Sequence, residues 1–318
     1  MTLHFVLLLV GFAILIKGAD WMVSGASSLA KRINVSNLMI GLTVVAFGTS
    51  APELTVNLFA SSSGLNDAMF GNIIGSNIFN LLFILGVAGV IYPLSVQRTT
   101  VKYEIPYSLF SALLLFFLVN DAMFFGADHN SLGRIDALVL LVFFGLFMAY
   151  IIRQAKNETE PQEEIQTMTL LKSVLFVSIG IALLVGGGKL VTDHAVAIAA
   201  SFGLSEKLIG LTILAAGTSL PELATSAVAA FRRNTDIAIG NVVGSNIFNI
   251  LLILGINGGI REIPYNATLN MDFFVIFFGS VALLLFMFTF NRNKLDRVEA
   301  VMFLVAFVGY TGYLIYRN

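Results

Sequence analysis

The chain of 318 residues contains no cysteine, so disulfides and thiolate metal sites are excluded, although this does not identify a compartment. Charge is scarce. Only 12% of residues are Asp, Glu, Lys or Arg, about half the share of a soluble domain. With 57% hydrophobic residues and a mean hydropathy of +0.89, a soluble globular fold is excluded. Histidine is limited to His4, His129 and His194, and there are only six prolines. The net charge of −1 is uninformative, because orientation in a bilayer depends on where the basic residues lie.

What fills the chain is apolar sequence in runs that approach or exceed the roughly 18–20 residues needed to cross a bilayer. Broken at charged and turn-like clusters, they predict about ten helices: 3–30, 36–60, 67–91, 104–120, 132–153, 168–200, 206–230, 236–258, 271–290 and 296–316. A membrane β-barrel would instead show alternating segments of about ten residues. The first run follows Met1-Thr2-Leu3-His4 without a basic leader or a clear small-residue cleavage site, and is expected to be a retained helix.

Two blocks are written twice. Gly48-Thr49-Ser50-Ala51-Pro52-Glu53-Leu54 returns as Gly217-Thr218-Ser219-Leu220-Pro221-Glu222-Leu223. Gly71-Asn72-Ile73-Ile74-Gly75-Ser76-Asn77-Ile78-Phe79-Asn80 returns as Gly240-Asn241-Val242-Val243-Gly244-Ser245-Asn246-Ile247-Phe248-Asn249. The offset is 169 for both, and 12 of 16 positions are identical between 71–86 and 240–255. The chain is therefore expected to divide into a five-helix half over 1–153, a polar cytoplasmic linker over 154–167 and a second five-helix half over 168–318.

Five is odd, so a second copy must enter the membrane upside down. With the N-terminus outside, 12 basic residues fall at inside ends and 4 at outside ends, with Lys17 and Lys189 left within helices. This predicts both termini outside, in the plasma (inner) membrane. The loop 61–66 has no basic residue, whereas the equivalent loop of the second half carries Arg232-Arg233.

Each duplicated block sets a carboxylate, a proline and several hydroxyl or amide groups in apolar surroundings, where such groups are costly and mark ion or substrate paths. Pro52 has no N–H for the Gly48 carbonyl, and Pro221 none for that of Gly217, so each helix is expected to break there and free carbonyl oxygens. Thr49, Ser50 and Glu53 then lie on adjoining helical faces, as do Thr218, Ser219 and Glu222. Asn72, Ser76 and Asn80 recur every four residues, as do Asn241, Ser245 and Asn249, and each set forms one stripe. Asn72 and Asn241 taken alone fit helix bridging as well as ion binding. Gly71, Gly75, Gly86, Gly240, Gly244 and Gly255 are expected to let helices approach closely.

The ligand inventory is hard oxygen throughout, which suits Ca²⁺, with its roughly 6–8 oxygen ligands, better than Zn²⁺ or Cu. Two ionised glutamates balance one divalent cation, and Na⁺ ions in the same cage would compete for shared ligands. Lys17 with Asp20 and Lys189 with Asp193 have the spacing of surface ion pairs. His194 has the chemistry of a proton carrier but no counterpart in the first half, where Gly25 stands.

The two blocks closely resemble the α-repeats of the calcium/cation antiporter superfamily, in particular the prokaryotic sodium/calcium exchangers. The resemblance covers essentially the whole chain. It implies an all-α polytopic membrane protein of ten transmembrane helices in two inverted five-helix repeats, with four ion subsites and alternating access by sliding of the first and sixth helices. The matching ligands are Ala46, Thr49, Ser50, Glu53, Ser76 and Asn80, with Ala215, Thr218, Ser219, Glu222, Ser245 and Asn249. Alanines and threonines would contribute chiefly backbone carbonyls.

The activity implied is secondary sodium/calcium antiport, with calcium and sodium ions and the lipid bilayer as partners. No cofactor, enzymatic activity, nucleic acid or obligate protein partner is expected. Some relatives, potassium-dependent ones among them, carry Asp where this chain has Asn249, so potassium independence is expected here. Proton/calcium exchange is the nearest alternative, although those relatives typically replace Gly-Thr-Ser-x-Pro-Glu by Gly-Asn-x-x-Glu. A cation channel with Glu53 and Glu222 as its filter is a further alternative, but channel filters are usually rings of several subunits, and an inverted internal repeat with broken central helices fits alternating access better.

Overall fold

A computed structural model describes residues 2–155, 168–202, 215–289 and 292–317. Most of the expected linker lies outside these residues. We label the principal helices α1 (Thr2–Arg32), α2 (Asn37–Thr49), α3 (Ala51–Ser62), α4 (Asn66–Ile91), α5 (Thr100–Val119), α6 (Arg134–Ala155), α7 (Leu170–Ser201), α8 (Leu220–Phe231), α9 (Thr235–Ile260), α10 (Ala267–Phe286) and α11 (Arg297–Arg317). Eight are individually long and apolar enough to span a bilayer, and α2 with α3 forms a bent ninth candidate. Of the span expected over 206–230, residues 206–214 lie outside the described residues, and the short helix Ala215–Gly217 and α8 are what is seen. Large side chains such as Leu9, Phe278 and Val308 are mostly exposed, as suits a surface facing lipid tails.

Helices α2 and α3 meet at 45°. The break falls on Ser50, at φ −83° and ψ 8°, two residues before Pro52. Pro52 occupies the first turn of α3, where a missing N–H costs nothing, and its ring is incompatible with a continuous helix running back through the carbonyl of Gly48. Ser219, at φ −91° and ψ 9°, repeats this geometry before Pro221. Both glutamates thereby sit in the first turn of a helix, where the N-terminal dipole favours negative charge.

Within α4 the segment Phe79–Ile84 winds as a π-helix, and Phe248–Ile253 of α9 does the same. Each wide turn includes the last polar residue of its stripe, Asn80 or Asn249. Short π segments concentrate at functional sites because the extra residue per turn redirects the side chains around it. The sequence pattern gave no notice of them.

Helices α1 and α7 run antiparallel along a seam of small residues. A Cβ added to Gly18 would lie 2.9 Å from the Leu184 nitrogen and 3.0 Å from the Gly180 carbonyl oxygen. One on Gly180 would lie 2.8 Å from the Met22 nitrogen. The backbones are therefore too close for any side chain larger than hydrogen.

The sequence halves interlock rather than stand apart. Gly86 of α4 abuts Ala300 and Leu304 of α11, while Gly255 of α9 abuts Ala137 and Leu141 of α6. Two two-residue antiparallel pairs also cross between the halves, Leu94–Ser95 with Lys294–Leu295 and Ser131–Leu132 with Ile263–Pro264. These pairs are small additions to an otherwise helical chain. Of the motif glycines, Gly240 and Gly244 press on the backbone of α2. Gly71 and Gly75 meet nothing within 4 Å among the described residues, and most of the equivalent partner segment falls in 203–214.

Candidate cation site

The broken helices and the two π-bulged helices converge on one buried polar cluster. Glu53 and Glu222 are both fully buried, as are Thr49 and Ser219, and Ser50, Ser76, Asn80, Ser245 and Asn249 are at most 3% exposed. The Ser50 hydroxyl donates to Glu222 Oε1 at 2.8 Å, and the Ser219 hydroxyl donates to Glu53 Oε1 at 3.0 Å. Ser219 also lies 3.1 Å from the Ser76 hydroxyl, and Ser245 approaches Glu222 Oε1 at 3.4 Å. Each break therefore holds the carboxylate of the opposite half.

The threonines are used differently. Thr49 donates to Asn241 Oδ1 at 3.0 Å, and Thr218 donates to Asn72 Oδ1 at 3.3 Å. Their hydroxyl protons are committed to bridging helices. Asn241 further donates to the Glu222 carbonyl at 3.3 Å and the Ser226 hydroxyl at 3.0 Å, so its side chain braces α8 against α9. The Ala46 carbonyl accepts the Ser50 N–H at 3.0 Å and lies 3.3 Å from the Thr49 hydroxyl. Ala215 begins the short helix Ala215–Gly217, and its side chain lies outside what is described.

Four side-chain oxygens in this cluster are buried without a hydrogen-bond partner among the described residues: Glu53 Oε2, Glu222 Oε2, Asn80 Oδ1 and Asn249 Oδ1. All four are pure acceptors, and they come in two pairs related by the offset of 169. A buried acceptor left unpaired typically costs about 1–3 kcal/mol, and more when charged. Among the described residues neither glutamate has a basic partner in an ion pair. Burying one unpaired carboxylate costs several kcal/mol. Two of them with two free amide oxygens define a place that a cation would stabilise and that an anion or apolar ligand would not.

The other intramembrane charges have ordinary partners. Lys189 pairs with Asp193 at 3.2 Å, as their spacing predicted. Lys17 reaches Asp20 only at 4.0 Å, and Asp20 instead engages the guanidinium of Arg232, which also bonds Ser24. His194 lies 3.0 Å from His4, Nδ1 to Nδ1.

Sequence reasoning passed over Asn57, Asn77 and Asn246. The Asn57 amide donates to the Glu53 carbonyl at 2.6 Å. Asn77 and Asn246 bond across the halves to Asn249 and Asn80 at 3.0 Å each. The recurrence of Asn77 as Asn246 in the duplicated block was the available signal, whereas Asn57 stands where the second half has Ser226 and carried none.

A multi-pass helical membrane protein with a buried cluster of cation-seeking oxygens is the class that this fold and site define. The chain belongs to the sodium/calcium exchanger protein family, whose model matches residues 3–153 and 172–316. It is 38% identical to the putative antiporter CaxA of Alkalimonas amylolytica over 98% of each chain. It is 30% identical to the sodium/calcium exchanger MaX1 of Methanosarcina acetivorans over 99% of each. The solved structure of the sodium-calcium exchanger NCX_Mj, soaked with 2.5 mM Na⁺ and 0.1 mM Ca²⁺, superposes with a TM-score of 0.80 at 32% identity, covering 96% of both chains. The protein is thus a cation/calcium antiporter of the exchanger family.

Proposed function

We propose that the protein exchanges sodium for calcium by alternating access, independently of potassium. The observation that carries this reading is the set of four partnerless acceptor oxygens on Glu53, Glu222, Asn80 and Asn249. Two carboxylates neutralise one Ca²⁺, and amide, hydroxyl and backbone oxygens complete a shell of the size that ion takes. Sodium ions drawn to the same oxygens would displace calcium by competition, which couples the two fluxes. The ligand set is Ala46, Thr49, Ser50, Glu53, Ser76 and Asn80 with Ala215, Thr218, Ser219, Glu222, Ser245 and Asn249. Ala46, Ala215, Thr49 and Thr218 act through backbone carbonyls, which agrees with the committed hydroxyl groups of both threonines.

The architecture that serves this cycle is ten spans in two inverted repeats, 1–153 and 168–318, joined by a cytoplasmic linker over 154–167. Both termini lie outside the plasma membrane. The reciprocal serine–glutamate bonds and the antiparallel α1–α7 seam support this arrangement.

The test is ⁴⁵Ca²⁺ uptake into proteoliposomes driven by an outward Na⁺ gradient, with and without K⁺ and with a pH gradient in place of the Na⁺ gradient. Uptake that follows the Na⁺ gradient alone is expected. Uptake driven by the pH gradient and indifferent to Na⁺ would overturn sodium coupling in favour of proton/calcium exchange.

A further inference from the structure

At the contact between α4 and α9, Asn77 and Asn246 close a hydrogen-bonded ring, and Asn80 and Asn249 are each bonded to one member of it. Asn77 Nδ2 donates to the Asn246 backbone carbonyl at 3.3 Å, and Asn246 Nδ2 donates to the Asn77 backbone carbonyl at 3.4 Å. Asn80 Nδ2 donates to Asn246 Oδ1, and Asn249 Nδ2 donates to Asn77 Oδ1, both at 3.0 Å. All four residues are at most 4% exposed, so water does not compete for these bonds.

The sense of the ring follows from its two backbone members. A carbonyl only accepts, so the NH₂ groups of Asn77 and Asn246 must face the carbonyls of their partners. Their side-chain oxygens must then face the other way, toward Asn249 and Asn80. Those oxygens in turn accept only from the NH₂ ends of Asn249 and Asn80. Reversing any one amide would set oxygen against oxygen or NH₂ against NH₂ in a buried site. The remaining ends of Asn80 and Asn249 are consequently oxygens, and these are the two amide oxygens left without a partner.

Building on the exchanger reading, we propose that Asn77 and Asn246 are positioning residues that lock the amides of Asn80 and Asn249 with their oxygens turned to the transported cation. Without the lock, a freely rotating amide presents its NH₂ end to the ion for part of the time, with the wrong sign of partial charge. Asn80 and Asn249 lie within the π-helical turns at Phe79–Ile84 and Phe248–Ile253, whereas Asn77 and Asn246 lie in the α-helical stretches just before them. The ring also explains why an amide stands at 249. An Asp there would set a carboxylate oxygen against Asn77 Oδ1, and Asn77 cannot turn without setting its own oxygen against the Asn246 carbonyl.

A double-mutant cycle on the full-length protein in nanodiscs tests this, with Ca²⁺ binding read by calorimetry in Na⁺-free buffer. Asn246→Ala and Asn80→Ala are each expected to weaken Ca²⁺ binding by about tenfold, and the double variant by no more than about twofold beyond the weaker single, because Asn246 acts only through Asn80. The cycle of Asn77→Ala with Asn249→Ala is expected to behave alike, and it decides the matter if Asn246→Ala is not monodisperse on size exclusion. Additive losses, about a hundredfold in the double variant, would overturn the positioning role while leaving the central site standing. Unchanged binding in Asn246→Ala and Asn77→Ala would do the same. Unchanged binding in Asn80→Ala and Asn249→Ala would overturn the site itself. A non-additive cycle in a protein that fails to exchange Na⁺ for Ca²⁺ would retain the positioning role and reject the exchange.

Discussion

Ser50 donates its hydroxyl hydrogen to Glu222 at 2.8 Å, across 172 residues of chain, and Ser219 returns the same bond to Glu53 at 3.0 Å. Neither half assembles its carboxylate environment from its own residues alone. A glutamate whose remaining oxygen has no partner is held in place by the other half and left open toward a cation.

Replacing either carboxylate by its isosteric amide removes half of the negative charge opposing a divalent ion. Glu53→Gln and Glu222→Gln are each expected to reduce Na⁺-driven Ca²⁺ flux on the order of a hundredfold or more, since uncompensating a buried charge costs about 3–5 kcal/mol. Size-exclusion profile and melting temperature should remain near those of the unmutated protein. Near-normal exchange by both variants would remove the central site from this cluster.

The inverted arrangement is checked by labelling, and the absence of native cysteine makes the experiment clean. Ser62 and Phe231 are equivalent by the offset of 169, and both are exposed at the ends of α3 and α8. An impermeant maleimide applied to intact cells is expected to modify Ser62→Cys and spare Phe231→Cys. Both should react after permeabilisation. Equal labelling before permeabilisation would contradict an inverted second half.

Potassium independence is read most simply from flux with all K⁺ replaced by choline. The rate is expected to stay within about twofold, since the two site carboxylates already match one divalent charge and leave no third anion for K⁺. An absolute K⁺ requirement would refute this while leaving calcium antiport intact.

The α1–α7 seam predicts a sharp steric asymmetry among glycines. Gly18→Ala introduces a Cβ within 3.0 Å of α7 backbone atoms and should cost about 1–3 kcal/mol by overpacking. Gly186→Ala, also on α7, meets nothing within 4 Å among the described residues and should be silent. Differential scanning fluorimetry separates them, and equal melting temperatures would show that the helices are not in backbone contact.

At the chain end, Arg317 forks onto both carboxylate oxygens of Asp272 at 3.2 and 3.1 Å, and Tyr310 donates to the same carboxylate at 3.1 Å. Asp272 is only 2% exposed, so Arg317→Leu strands a buried charge and should destabilise on the order of 3 kcal/mol. Adding Asp272→Asn to that variant should restore part of the loss. A double variant less stable than the single would show that the ion pair is not the source.

The sequence by itself determined the membrane class and nearly every helical span, and it marked the residues of the candidate site. Long apolar runs dictate helices in a medium that cannot solvate a bare backbone. A duplicated Pro-Glu within such runs marks polar groups that hydrocarbon would otherwise reject. The tertiary structure decided how those groups are used. The helix breaks fall on Ser50 and Ser219 rather than on the prolines, and each serine serves the glutamate of the opposite half. Thr49 and Thr218 spend their hydroxyls bridging helices, and Asn77 and Asn246 accept the amides of Asn249 and Asn80 in the opposite half. Helical periodicity is a local property that shows which side chains share a face. It carries no information about which acceptor, 146 to 192 residues away, will complete a hydrogen bond once two helices pack.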